Sequence, residues 1–259
     1  MKKVILLLIL PLLCAARIQV TTYMPLEQFF LEKIASTYII TKNITKVYTS
    51  EFKELVQGDL VRLSRTKAYF HFGLEVEKEY AEVLTKMNPN LKVYDLSKGV
   101  KKIDGNPYFW TDPLRLRTVV NNIYEAFLEL SYYNKDMYMQ NRDKLLKQID
   151  DIFLKVREKL YSSEIYNIFV FDKYWQYFAR RYSLNLYNRD KTVLEAKDIE
   201  KTREFTQLNQ IKAILIKDDK TLAYALALKK HTEIPIKKHN IFNRLYFFNL
   251  EKLSIKLSK

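Results

Sequence analysis

Cysteine occurs once in this chain, at Cys14, histidine three times and glycine four times among 259 residues. Each scarcity removes a class of chemistry. A lone thiol allows no internal disulfide and no thiolate metal cage, so packing must hold the fold. So few glycines leave no room for the glycine-rich turns that cradle nucleotide phosphates. No Gly-x-Ser-x-Gly run and no paired-histidine zinc motif occurs either. Carboxylates are plentiful, yet spacing singles out no pair. Repeats, low-complexity tracts and Gly/Ser linkers are absent as well. These absences exclude the common catalytic plans and leave a binding protein, not an enzyme.

What is present sets the class. Hydrophobic residues make up 48% of the chain, enough for one or two well-formed cores. The opening "MKKVILLLILPLLCAA" has Lys2 and Lys3 ahead of an apolar run from Val4 to Leu13, with Ala16 as a small residue for cleavage. The run is too short to span a bilayer and reads as a secretion signal over 1–16. A lipid anchor on Cys14 is the alternative processing, but such signals want a small residue before the cysteine, and Leu13 is not small. The net charge is +14. Lysines and arginines are dispersed along amphipathic segments, which favours a basic solvated surface over a nucleic-acid site.

From Ile18 onward short apolar runs alternate with helical patterns. "IQVTTY" (18–23) suits a strand, "LEQFFLEKIAS" (26–36) a helix and "NITKVYT" (43–49) a second strand. A helix at 54–65, a strand at 68–72, a helix at 77–87 and a strand at 91–96 continue the series. The order strand–helix–strand predicts an α/β fold with parallel sheets. A single helical segment from about 136 to 161 then interrupts it, roughly 39 Å long at 1.5 Å per residue. Beyond it strands at 165–171, 184–187, 211–216 and 233–237 alternate with helices, and a last helix covers 243–257. The expected architecture is two lobes, each a parallel sheet flanked by helices, joined by one long linking helix. Its boundaries are an N-terminal lobe over 17–135, the linker over 136–161 and a C-terminal lobe over 162–259.

One loop does not fit a plain connection. In "NPYFWTDP" (106–113), Asp112 and Pro113 open a helix whose apolar positions are Leu116, Val119, Val120, Ile123 and Phe127. The bulky residues Tyr108, Phe109 and Trp110 precede it.

Taken in order, these segments resemble the zinc and manganese receptors of ABC importers, the metal-binding periplasmic solute-binding proteins. "VTTYMPLEQFFLEKIAS" is similar to their opening strand and helix. "GDLVRLSRTKAYFHFGLEVEK" is similar to their run ending in Gly-Leu and a glutamate, at Asp59, Gly73 and Glu77. "NPYFWTDP" resembles their Asp-Pro-His-x-Trp-x-Asp-Pro, and "YMQN" their Tyr-x-x-Asn at the start of the linking helix. "FDKYWQYFARRYSL" and "YFFNLEKLSIKL" resemble segments of the last lobe. The resemblance implies two α/β lobes, one metal ion held between them as cargo, a periplasmic location and an inner-membrane ABC permease as partner. It also implies a monomer that binds no nucleic acid.

The family usually holds its metal with three histidines and a carboxylate. Carried over position by position, those ligands fall here on Glu51, Tyr108, Asp172 and, in the last loop, His239 or Asn240. Mostly oxygen donors, they lean to manganese or iron over zinc, with ferric iron matching a phenolate best. Each position has a second reading. Glu51 suits the first turn of a helix, Tyr108 an aromatic plug, Asp172 a helix cap and His239 an ordinary loop histidine. Lys217 stands after the strand "AILI", where an ammonium could pair with Asp172 or Glu51 and satisfy the cleft without metal. Trp110 and Trp175 are expected to pack in the cleft wall. Capture of zinc, manganese or iron by an exported receptor is the leading expectation. The alternative keeps the receptor fold and binds a protein, a small organic molecule or a metal chelate.

Overall fold

In the computed structural model, residues 17–46, 51–163, 165–188 and 196–259 are described. The signal-like segment 1–16 lies outside them. Two four-stranded parallel sheets form the framework. The first contains β1 (Ile18–Thr22), β2 (Ile39–Asn43), β3 (Ala68–His71) and β4 (Lys92–Asp95) in the order β2-β1-β3-β4. The second contains β5 (Asn167–Val170), β6 (Asn185–Asn188), β7 (Ala213–Ile216) and β8 (Ile236–Lys238) in the matching order β6-β5-β7-β8. Parallel neighbours require crossovers, and helices supply them: α1 (Pro25–Ala35), α2 (Gln57–Ser64) and α3 (Glu75–Met87) in the first lobe, α6 (Gln176–Arg181), α7 (Ala196–Leu208) and α8 (Leu222–Thr232) in the second. α4 (Leu116–Leu130) packs on α1 in the first lobe, the linking helix α5 (Lys135–Tyr161) runs between the lobes, and α9 (Tyr246–Leu257) is the last element.

Local chemistry explains where the helices begin. Glu27 and Glu77 each stand in the first turn of a helix and turn back to accept a backbone N–H, from Met24 at 2.9 Å and from Leu74 at 2.8 Å. Asp112 accepts the Leu114 N–H at 3.1 Å, as expected of a cap, but a three-residue 3-10 turn at Pro113–Arg115 comes before α4. The second strand departs from expectation. The chain pairs Ile39–Asn43 with β1, four residues ahead of the expected start, and 47–49 lies outside the described residues. Both stretches are apolar enough for an edge strand. Asn43 settles the register by accepting from Thr22 Oγ1 at 2.5 Å and donating to Gln28 Oε1 at 2.6 Å.

At the end of β3 the backbone turns through Gly73 at φ 79°, donating its N–H to His71 Nδ1 at 3.0 Å. A Cβ there would lie 2.6 Å from Ser97 Oγ, so only glycine fits.

One apolar cluster joins the two sheets. It includes Val20, Phe70 and Phe72 of the first lobe, Ile168, Val170 and Leu215 of the second, and Ile149, Ile152 and Val156 of α5. The opposite face of the second sheet has its own small core, with Phe169, Ile214, Ile216 and Leu228. Along β5 and β7, alternate residues thus serve alternate cores, the period of two that a strand imposes. The linking helix packs on α1, α4 and α9. Polar ties fix it, including Asn141 Nδ2 to Ile34 O at 2.9 Å, Arg117 to Asp150 at 2.5 Å and Lys155 to Glu251 at 2.7 Å. α9 returns to the first lobe, where Tyr246 packs edge-on against Phe30 at 5.4 Å. No helix among the described residues is long and apolar enough to cross a membrane.

Candidate metal centre

The loop 106–113 is a latch between the lobes. Asn106 donates to Lys173 O and to Gln176 Oε1, both at 2.8 Å, and its own carbonyl accepts the Tyr177 hydroxyl at 2.6 Å. Asp112, only 3% exposed, receives Arg181 Nε at 2.7 Å and Nη2 at 2.8 Å, a bidentate pair across the seam. Arg115 Nε stands 3.3 Å from the same carboxylate. Tyr246 closes the other side by donating to Trp110 O at 2.7 Å. The capping role of Asp112 was legible in the sequence. Its pairing with Arg181, 69 residues away, was not, because no local pattern records it.

The bulky residues of the latch pack into the seam between the lobes. Trp110 and Trp175 are buried, as expected of packing residues. Tyr108, half-buried, meets Tyr174 at 5.1 Å and Trp110 at 5.6 Å between ring centroids. Tyr174 also packs against Trp175 at 4.7 Å and Phe242 at 5.0 Å. Three loops, after β4, β5 and β8, therefore converge through their aromatic rings.

The candidate donors all lie beyond the carboxyl ends of parallel strands, where open α/β sheets place ligand groups. Asp172 follows β5. One oxygen accepts the Tyr174 N–H at 2.9 Å, and the other, Oδ2, holds the Lys217 ammonium. The two residues meet because β5 and β7 are paired neighbours. With Ile168 opposite Ala213 and Phe169 opposite Ile214, the same register carries Asp172 opposite Lys217. Lys217 Nζ also lies 5.5 Å from the centroid of the Tyr174 ring.

His239 follows β8 and is buried, with Nε2 2.6 Å from Asn249 O. A carbonyl only accepts, so Nε2 carries the proton and Nδ1 keeps its lone pair. Burial pushes the imidazole down to about 4, against a partial upward pull from the Asn249 carbonyl, so it is neutral near pH 7. Glu51 is exposed in the bend ahead of α2. Since α2 begins only at Gln57, Glu51 is not a first-turn residue. The structure thus brings Tyr108, Asp172 and Lys217 around Tyr174, while Glu51 and His239 stand on other loops. Among the described residues no three His, Cys, Asp or Glu side chains form a ready metal cage.

The sequence matches the family described as zinc-uptake complex component A, periplasmic, over residues 20–252. The chain belongs to that family. It is accordingly a substrate-binding receptor of the metal-uptake type and not an enzyme. The fold is shared with solved structures of low identity. A crystal structure of ZnuA is 20% identical with a TM-score of 0.83, over 93% of this chain and 98% of that one. The metal-dependent lipoprotein YcdH from Bacillus subtilis is 16% identical with a TM-score of 0.78, over 92% and 98%. The periplasmic zinc binding protein TroA from Treponema pallidum is 17% identical with a TM-score of 0.74, over 94% and 100%. No curated protein sequence matches the chain.

Proposed function

We propose that the cleft captures a multivalent metal cation (zinc, manganese or iron) as cargo, with Asp172 as the central donor and Tyr108, Glu51 and His239 completing the set. The observation that carries this reading is a cation already seated on the carboxylate. Asp172 is oriented by the Tyr174 N–H and binds the Lys217 ammonium with its remaining oxygen. His239 adds support, because a ring N–H held by a carbonyl is how metal-bound histidines are usually fixed, leaving the second nitrogen for the ion. The family name favours zinc, whereas a donor set of carboxylates and a phenol suits manganese or iron. Export to the periplasm with cleavage after Ala16, lobes bounded near 135 and 162, and delivery by a monomer to an inner-membrane ABC permease belong to the same reading.

The test is a thermal-shift titration of the chain from Arg17 onward, stripped of metal, with zinc, manganese, ferrous and ferric ions. An ion at a hundred times its dissociation constant adds about 2.7 kcal/mol to stability, a clear rise in midpoint. The expected result is stabilisation by at least one ion and its loss in Asp172→Ala. If none of the four ions shifts the midpoint, the metal reading fails.

A second reading has its own observation. The Lys217–Asp172 pair and the aromatic stack already satisfy one another, as they would in a receptor whose metal site has been lost and whose cleft face binds a protein partner. Absence of any metal response favours it.

A further inference from the structure

We propose that Lys217 is a tethered counter-cation which occupies the cargo position when the cleft is empty, competes with incoming metal and helps expel it on delivery. The proposal rests on the metal reading above and adds the device that controls that site.

Four observations meet at this residue. Lysine ammonium groups normally reach into water, yet the Lys217 side chain is 16% exposed and bends inward. Its Nζ sits on the one Asp172 oxygen that the Tyr174 N–H does not hold. The same Nζ lies against the Tyr174 ring, whose other neighbours include Tyr108 at 5.1 Å. The ammonium therefore stands on one candidate donor, Asp172, with the Tyr174 ring between it and a second, Tyr108. Finally, Lys217 and Asp172 come from the ends of paired strands, so the contact is set by sheet register and not by a wandering surface chain.

The physical consequence follows from charge. A carboxylate in a partly buried cleft without a partner would attract any cation, and Lys217 removes that open charge. A monovalent ion offers Asp172 no more charge than the ammonium it would replace. A divalent or trivalent ion does, so the lysine sets a charge threshold for entry. Its flexible four-carbon stem lets the ammonium leave without backbone movement and return without being lost to solution. Return to Asp172 makes metal release an internal exchange of one cation for another. That suits a receptor whose linking helix and lobe latch hold the sheets together, leaving little hinge opening to loosen the ion.

The experiment compares the wild-type chain with Lys217→Met, which keeps the length of the stem and removes the charge. Affinities for zinc, manganese, ferrous and ferric ions are measured by titration calorimetry, and release is followed by stopped flow against excess chelator. Lys217→Met is expected to bind at least tenfold tighter and to release the ion correspondingly more slowly. Lys217→Arg is expected to stay near wild type. Adding Asp172→Asn to Lys217→Met should abolish the gain. Tight binding by Lys217→Met alone, with none by wild type, refutes the exchange device, since the lysine would then seal the site against cargo and not trade places with it. If wild type binds and Lys217→Met binds equally or more weakly, the counter-cation is refuted while the metal reading stands. If neither binds, both fall. Should Lys217→Met not fold, Lys217→Gln, which can still donate to Asp172, gives the same comparison.

Discussion

Two buried glutamates show how single residues carry both fold and pH behaviour. Glu27 and Glu77 cap α1 and α3 with one oxygen each, and the second oxygen of each is buried without a hydrogen-bond donor. Facing carboxylates cannot both ionise there, and a retained proton between them supplies the missing donor. Burial pushes Glu27 well above the ordinary carboxylate range, with Glu77 adding to the rise, and burial likewise pushes Glu77 up to about 7. His71, whose Nδ1 lies 3.8 Å from Glu77, offers no compensating charge, since burial lowers it to about 4. The folded state thus binds protons that the unfolded chain gives up near the ordinary value of 4.5. The stabilisation from Glu77 is complete below that value, declines as pH rises and is lost as pH passes through about 7, and the raised Glu27 acts in the same direction. Glu27→Gln keeps an oxygen for the Met24 N–H and brings its own N–H for Glu77, so it needs no proton. Urea midpoints between pH 5 and 8 should fall with pH in wild type and stay flatter in Glu27→Gln. Parallel curves would show that no proton is shared.

At the scale of elements, most of this architecture was legible because hydrophobic period and strand–helix alternation are local signals. Strands β1, β3, β5 and β7 and the linking helix fall where the pattern places them. β2 slipped because two adjoining apolar stretches could each serve as an edge strand, and pairing with β1 decided between them. The site was legible only as separate loop positions. Whether Glu51, Tyr108, Asp172 and His239 meet depends on four connections far apart in sequence, and resemblance to a family carries no distances. The Lys217–Asp172 contact was foreseen as one of two pairings, and strand neighbourhood selected it. The latch is the element-scale feature that sequence concealed, and it can be tested. Arg181→Ala leaves the buried Asp112 carboxylate with the Leu114 N–H and Arg115 as its remaining partners. Removing one partner of a buried pair costs roughly 3–5 kcal/mol, and the partial exposure of Arg181 together with Arg115 puts this loss at the lower end. Chemical denaturation should show that loss, whereas a change below about 1 kcal/mol would class the pair with surface ion pairs.

For the whole molecule, the question is whether two sheets make one cooperative unit. The shared apolar cluster, the return of α9 to α1 and the ties along α5 say that neither lobe can open without exposing the core of the other. Each large side chain buried there contributes about 1.5–3 kcal/mol, so losing the seam would cost more than a domain's net stability. The chain carries its own reporters, since its two tryptophans, Trp110 and Trp175, are buried on either side of that seam. Tryptophan fluorescence therefore follows the seam, while far-ultraviolet circular dichroism follows the helices of both lobes. Thermal or urea unfolding should give coincident midpoints by the two probes, the mark of a two-state transition. A fluorescence midpoint that came first would mean that the lobes part before they melt. The latch would then be a weak contact, and the rigid framework that makes an internal cation exchange at Asp172 necessary would not exist.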